Sequence, residues 1–142
     1  TWDNVFASTM RMVDMQNGWL VLECYPELFF VDRPSFLEAL SRDGEIIVCH
    51  IEEHVMCSTA FEMRNGSKIW EISHDSQIAF DHLDSDGALP DCFDEIRAAA
   101  VEKMKTRHRS LFGIPVDVCG AMTGYHQSLH PLKTVCVPIP FL

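Results

Sequence analysis

The Asn65–Gly66 pair constrains this chain more than any other feature. It sits between two runs of alternating side chains, Thr59 to Met63 and Ile69 to Ser73. Both residues accept the positive φ that a two-residue type I′ turn requires, so a β-hairpin belongs at the centre of the chain. Upstream, Asp43 and Gly44 mark a turn into the Ile- and Val-rich segment from Glu45 to His54. Earlier still, Trp19 to Tyr25 is an apolar run interrupted by Glu23 and ended by Pro26, which reads as a strand and a turn. Ile78 to Leu83 offers one more extended segment. The pattern predicts an antiparallel β-meander of about four or five strands.

Helical spacing appears on either side of this block. Ser35 with Glu38 three residues on is a capping-box signature ahead of Phe36, Leu37, Ala39 and Leu40. After Leu89 and Pro90, the recurrence of Phe93, Ile96, Ala100 and Met104 predicts the longest helix, with Asp91 placed to cap the amide of Asp94 and the stripe placed to cover a sheet. Its acids Asp91, Asp94 and Glu95 fall at the positive end of the helix dipole, and Lys103, Lys105, Arg107 and Arg109 near the negative end. Pro115 opens a second, shorter helix through Val118, Cys119 and Met122, with Gly124 as its left-handed terminator. Pro131, Pro138 and Pro140 make the tail read as loop and short edge strand. At 142 residues the chain has the size of one domain, so the expectation is a single α+β domain over 1–142, the meander packed against one long and one or two short helices.

Charge narrows the partners. The net charge is -10, which opposes binding to nucleic acid, and no apolar run approaches the ~20 residues of a membrane span. Residues 1–95 carry 19 acids and 5 bases, whereas residues 96–142 carry 2 acids and 6 bases. Asp81, Asp84, Asp86, Asp91, Asp94 and Glu95 crowd one stretch, a field that attracts a basic protein partner. The six cysteines form no CxxC pair, and no basic leader precedes an apolar segment, so reduced thiols and a cytoplasmic location are expected.

Two constellations touch on chemistry. His50, Ile51, Glu52, Glu53 and His54 spell H-x-x-E-H, the basis of an alternative reading as a metal-dependent hydrolase through His50, Glu53 and His54. That motif needs a helix. In a strand its two imidazoles stand about 13 Å apart, and the neighbouring Ile and Val residues favour the strand. His74, Asp75, Asp81, His82, Asp84 and Asp86 form a second cluster, in which His82, Asp84, Asp86 and Gly87 imitate part of a calcium loop. Its ends fail, because His82 replaces the first carboxylate and Phe93 stands where a bidentate Glu completes the shell. An acid-rich turn before the helix is the simpler account. His126, Ser128 and His130 lie close in sequence but lack a nucleophile elbow, and no glycine-rich phosphate loop is present. No cofactor, metal or catalytic residue is expected.

The segment GSKIWEISHDSQIAFDHLDSDGALPDCFDEI from Gly66 to Ile96, with Ile114–Val116 and Gly124–Tyr125 after it, resembles small acidic bacterial proteins of the toxin-immunity type. The resemblance covers the central and C-terminal half and implies an inhibitor that occludes a basic toxin or enzyme; it assigns no residue a role. On the residues themselves, Glu52, Asp75, Asp81, Asp84 and Asp86 are the candidates to steer and pair with Lys or Arg. His74 lies among them, and Trp70 is either a core residue or an exposed anchor. Trp19, Phe29 and Phe30 share that ambiguity. A structural homo-oligomer is the remaining alternative.

Overall fold

The computed structural model describes residues 10–24, 33–107, 110–126 and 132–138. The expected turn at Pro26 and the residues Phe29, Phe30, Arg109, Ser128, His130, Pro131 and Pro140 lie outside them.

The hairpin forms as its turn residues dictate. β4 (Cys57–Arg64) and β5 (Ser67–Asp75) are joined by Asn65 at φ 51° and Gly66 at φ 79°. On the other side of β4 lies β3 (Glu45–Glu52), antiparallel, with Ile47, Cys49 and Ile51 opposite Glu62, Ala60 and Ser58. Beyond β5 lies β6 (Asp84–Gly87), so the expected meander is present from β3 to β6. Of the acid-rich stretch, Asp84 and Asp86 thus lie on an edge strand while Asp81 and Asp91 lie in turns on either side of it, and residues 76–83 are loop rather than the strand expected at Ile78–Leu83.

Three further strands enlarge the sheet to seven among the described residues. β1 (Met10–Asp14) and β2 (Trp19–Cys24) pair with each other, and β7 (Leu132–Pro138) inserts between β2 and β3. The order is β1-β2-β7-β3-β4-β5-β6, antiparallel throughout. The tail strand expected at an edge is interior. Its Pro138 is tolerated because it is the last residue of the strand, where a missing N–H interrupts no ladder.

The fold class is α+β. β3 runs through the middle with Ile46, Ile47, Val48 and Cys49 all buried, because both faces of the sheet are covered there. On one face, α1 (Pro34–Leu40) sets Leu37, Phe36 and Leu40 against Cys24, Ile46, Val48, Met63 and Val135. It starts at Arg33 with Pro34 in its first turn and without a side-chain cap, so proline's fixed φ replaces the capping box expected from Ser35. On the other face, α3 (Ile114–Thr123) lies across β3, β4 and β5 and buries Ile114, Val118 and Cys119 against Ile47, Cys49, Ala60, Ile72 and Cys136. Pro115 opens α3 and Gly124, at φ 77°, closes it with its N–H on the Gly120 carbonyl.

The longest helix, α2 (Phe93–Arg107), does not lie on the sheet as its stripe suggested. It packs on α3 and on a 3-10 turn at Leu111–Gly113, with Phe93 buried and Ile96, Ala100 and Met104 half-buried. α3 is apolar over most of its circumference and so takes the inner layer, while the charged α2 takes the outer. Among the described residues no helix is long and apolar enough to cross a membrane.

One glycine is fixed by the sheet edge. β5 bulges opposite Glu62 and Met63, which brings the Ile69 carbonyl up against Gly87 of β6. A Cβ there would stand 2.1 Å from that oxygen, at a φ of +84°. Only glycine lets β6 pair at this point.

Candidate functional site

The residues singled out in the acidic segment converge on the β5–β6 connection. β5 alternates across the sheet, so Trp70, Ile72 and His74 face α3 and the 3-10 turn, while Glu71, Ser73 and Asp75 face the opposite way. His74 is 1% exposed and its ring meets Phe112 edge-on at 6.2 Å between centroids. A buried imidazole needs both nitrogens satisfied. Nδ1 donates to the His82 carbonyl at 2.7 Å, which leaves Nε2 to accept the Ser76 hydroxyl at 2.8 Å.

His82 returns the connection. Its Nδ1 accepts the Asp75 backbone N–H at 2.9 Å, so Nε2 carries the proton and donates to Asp84 Oδ2 at 3.1 Å. The two histidines therefore clasp the ends of the loop in opposite senses, the His74 ring to the His82 carbonyl and the His82 ring to the Asp75 amide. Inside the loop, the amides of Ile78 and Ala79 both donate to the Asp75 carbonyl, the Gln77 amide to Asp75 Oδ1, and the His82 amide to Ala79. The Ser76 amide donates to the Met56 carbonyl of the β3–β4 turn at 3.3 Å, tying two loops at the same end of the sheet. The amides of Ser76, Gln77, Ile78, Ala79 and His82 thus all have acceptors within the protein.

The carboxylates sit around this clasp. The Gln77 amide, then the Cys57 thiol, hold the Asp75 carboxyl below its ordinary range. Glu52, Cys57 and Asp75 occupy one row across β3, β4 and β5. Burial, the hydrogen bond to Asp75 and the nearby carboxylates push the Cys57 thiol up, away from the reactive thiolate. Glu52 also accepts the His54 amide at 3.2 Å and so braces the turn at 53–56. Asp81, Asp84 and Asp86 are exposed, and Asp84, Asp86, Glu71 and Ser73 line an open depression of about 410 Å³. Among the described residues no Lys or Arg pairs with Asp75, Asp81, Asp84 or Asp86, whereas Arg11, Arg64 and Lys68 are engaged by Glu23, Glu62 and Glu71.

Trp70 stands apart from this surface. It is 1% exposed and its Nε1 donates to the buried Glu62 carboxylate at 2.7 Å, so it belongs to the core and offers no exposed anchor. His74 likewise acts from inside. Trp19 is half-buried against the same core. His50 lies on β3 and His54 on the turn beyond it, so H-x-x-E-H does not occupy the helix that its chemistry requires. Among the described residues no three His, Cys, Asp or Glu side chains gather as a metal ligand set.

A second concavity was not visible in the sequence. α2, the 3-10 turn and α3 enclose a cleft of about 580 Å³, walled by Ile96, Ala100, Phe112 and Ile114, with Lys103, Asp117 and His126 among its polar groups. Burial pushes the Asp117 carboxyl up, and Lys103 and His126 partly offset this. Gly120 lets the His126 ring lie on the helix, since a Cβ there would stand 2.7 Å from Nδ1. These groups come from α2, α3 and the segment after it, so no sequence spacing could announce them.

All six cysteines are free thiols. The Cys136 thiol is pushed far up by its hydrogen bond to Cys119 and by burial, which makes it an inert core group. No family model, no curated protein and no solved structure matches the chain.

Proposed function

We propose that the protein is an acidic binding module that occludes a basic protein, in the manner of an immunity protein or enzyme inhibitor, and that it acts in the cytoplasm with its thiols reduced. The observation that supports this reading is the set of exposed carboxylates Asp81, Asp84 and Asp86, lacking Lys or Arg partners among the described residues, on and beside a loop fixed by His74 and His82. Exposed carboxylates without a Lys or Arg partner on an ordered surface attract a cationic partner over about a Debye length and accelerate encounter. Fixing the loop in advance lowers the ordering cost of association. Resemblance of Gly66–Ile96 to acidic proteins of the toxin-immunity type points the same way.

The test begins with capture of the partner from lysate of the source organism on the immobilised protein, then follows association rate against ionic strength. A basic, near-stoichiometric partner whose association slows about tenfold or more between low and high salt is expected. A rate indifferent to salt would contradict the proposal.

A further inference from the structure

The same end of the sheet that carries the acids also carries apolar side chains that the core does not use. Among the described residues the exposed large apolar side chains are Met12, Val55, Met56, Ile78 and Phe80. All but Met12 lie on the β3–β4 turn and the β5–β6 loop, the two connections joined by the Ser76 amide and the Met56 carbonyl. Ile78 is 66% exposed and Phe80 50%, although the backbone around them is held by the amides of residues 76–79 and by the His82 ring. Scattered exposed hydrophobes need no explanation, but several gathered on two tethered loops do.

We infer that Val55, Met56, Ile78 and Phe80 form the apolar centre of a docking surface for a basic, amphipathic protein segment. The inference rests on the reading of the protein as an acidic binding module and supplies the anchor that Trp70 does not. Charge complementarity selects the occupant. Glu53, Asp75, Asp81 and Asp84 flank the apolar residues in the chain, so a segment with apolar side chains on one side and Lys or Arg beside them satisfies both parts of the surface. A second copy would bring like charges together, and an anionic lipid surface would be repelled. The apolar centre sets how long the partner stays, and the acids set how fast it arrives.

The experiment uses the full chain and synthetic peptides, read by fluorescence anisotropy. One peptide of leucine and lysine carries its leucines on one helical face, and a second has the same composition with the leucines dispersed. The parent is expected to bind the first about tenfold more tightly than the second. Ile78→Ser with Phe80→Ser removes that preference but leaves the salt-sensitive binding common to both, and Val55→Ser with Met56→Ser does the same from the other loop. Asp81→Asn with Asp84→Asn weakens both peptides and flattens the salt dependence. If both serine variants keep the preference while the asparagine variant still loses salt sensitivity, the apolar centre is wrong and the acidic module stands. Binding to neither peptide, or binding indifferent to salt, overturns the acidic module and the docking surface together. Self-association in sedimentation, or adsorption to phosphatidylcholine vesicles, that the serine variants abolish would assign the face to another occupant and overturn the inference.

Discussion

β5 ends in two very different connections. At its start, Asn65 and Gly66 reverse the chain with two residues of positive φ, the shortest link that an antiparallel pair accepts. At its finish, residues 76–83 reach β6 by a longer path that needs a buried histidine, a second histidine across from it and the backbone of the neighbouring turn to hold its shape. The short turn carries small polar residues, whereas the long loop carries exposed Ile78 and Phe80 beside Asp81. Topology alone is served by the first kind of connection. A longer loop fixed this thoroughly, yet exposing apolar side chains, is what the proposed docking surface rests on.

The contrast can be broken most severely at His74. His74→Ala leaves the His82 carbonyl and the Ser76 hydroxyl without their partner and opens a void beside Phe112, so a loss of about 3 kcal/mol in urea unfolding is expected. Asn65→Ala disturbs the other end far less. It places a β-carbon without a compensating polar group at φ 51°, and a loss of about 1 kcal/mol is expected by the same measurement. A larger effect at Asn65 than at His74 would reverse the comparison.

A smaller effect separates the acids by sign. The Asp75 carboxyl is held below its ordinary range, so its contribution is present above the unfolded-state pKa and lost as pH falls through the folded one. Asp75→Asn should therefore be less stable than the parent near neutrality and converge with it in acid. Asp117 is raised by burial, so in the folded protein its charged form is disfavoured, and stability declines as pH rises from the unfolded pKa through the folded one. Asp117→Asn should gain on the parent as pH rises through the carboxylate range. Unfolding curves at several pH values check both, and the same sign for the two variants would contradict the account.

Local signals in the sequence located what local chemistry decides. Asn65–Gly66, the Pro115 start and Gly124 stop of α3, and the apolar stripe of α2 each form where the chain spells them. Pairing across the sheet was not legible. β7 reads as an edge because of its prolines, yet Val135 and Cys136 are buried between β2 and β3 once those strands flank it. β1 carries too short and irregular an alternation in Met10–Asp14 to announce itself. Trp70 became a core residue through its register opposite Glu62, which no property of Trp70 alone reveals. In the candidate site, the acids were visible from composition, but the roles of His74 and His82 required knowing which backbone groups they meet.

The most direct test of the central claim is native-state hydrogen exchange at the Asp75 amide. That N–H donates to His82 Nδ1 at 2.9 Å and reports whether the β5–β6 loop is clasped. Strong protection in the parent is expected, lost on His82→Ala while the paired amides of β4 and β5 stay protected. An Asp75 amide that exchanges in the parent as fast as in an unfolded chain would show that the loop is not held, and with it the account of a preorganised binding surface would fail.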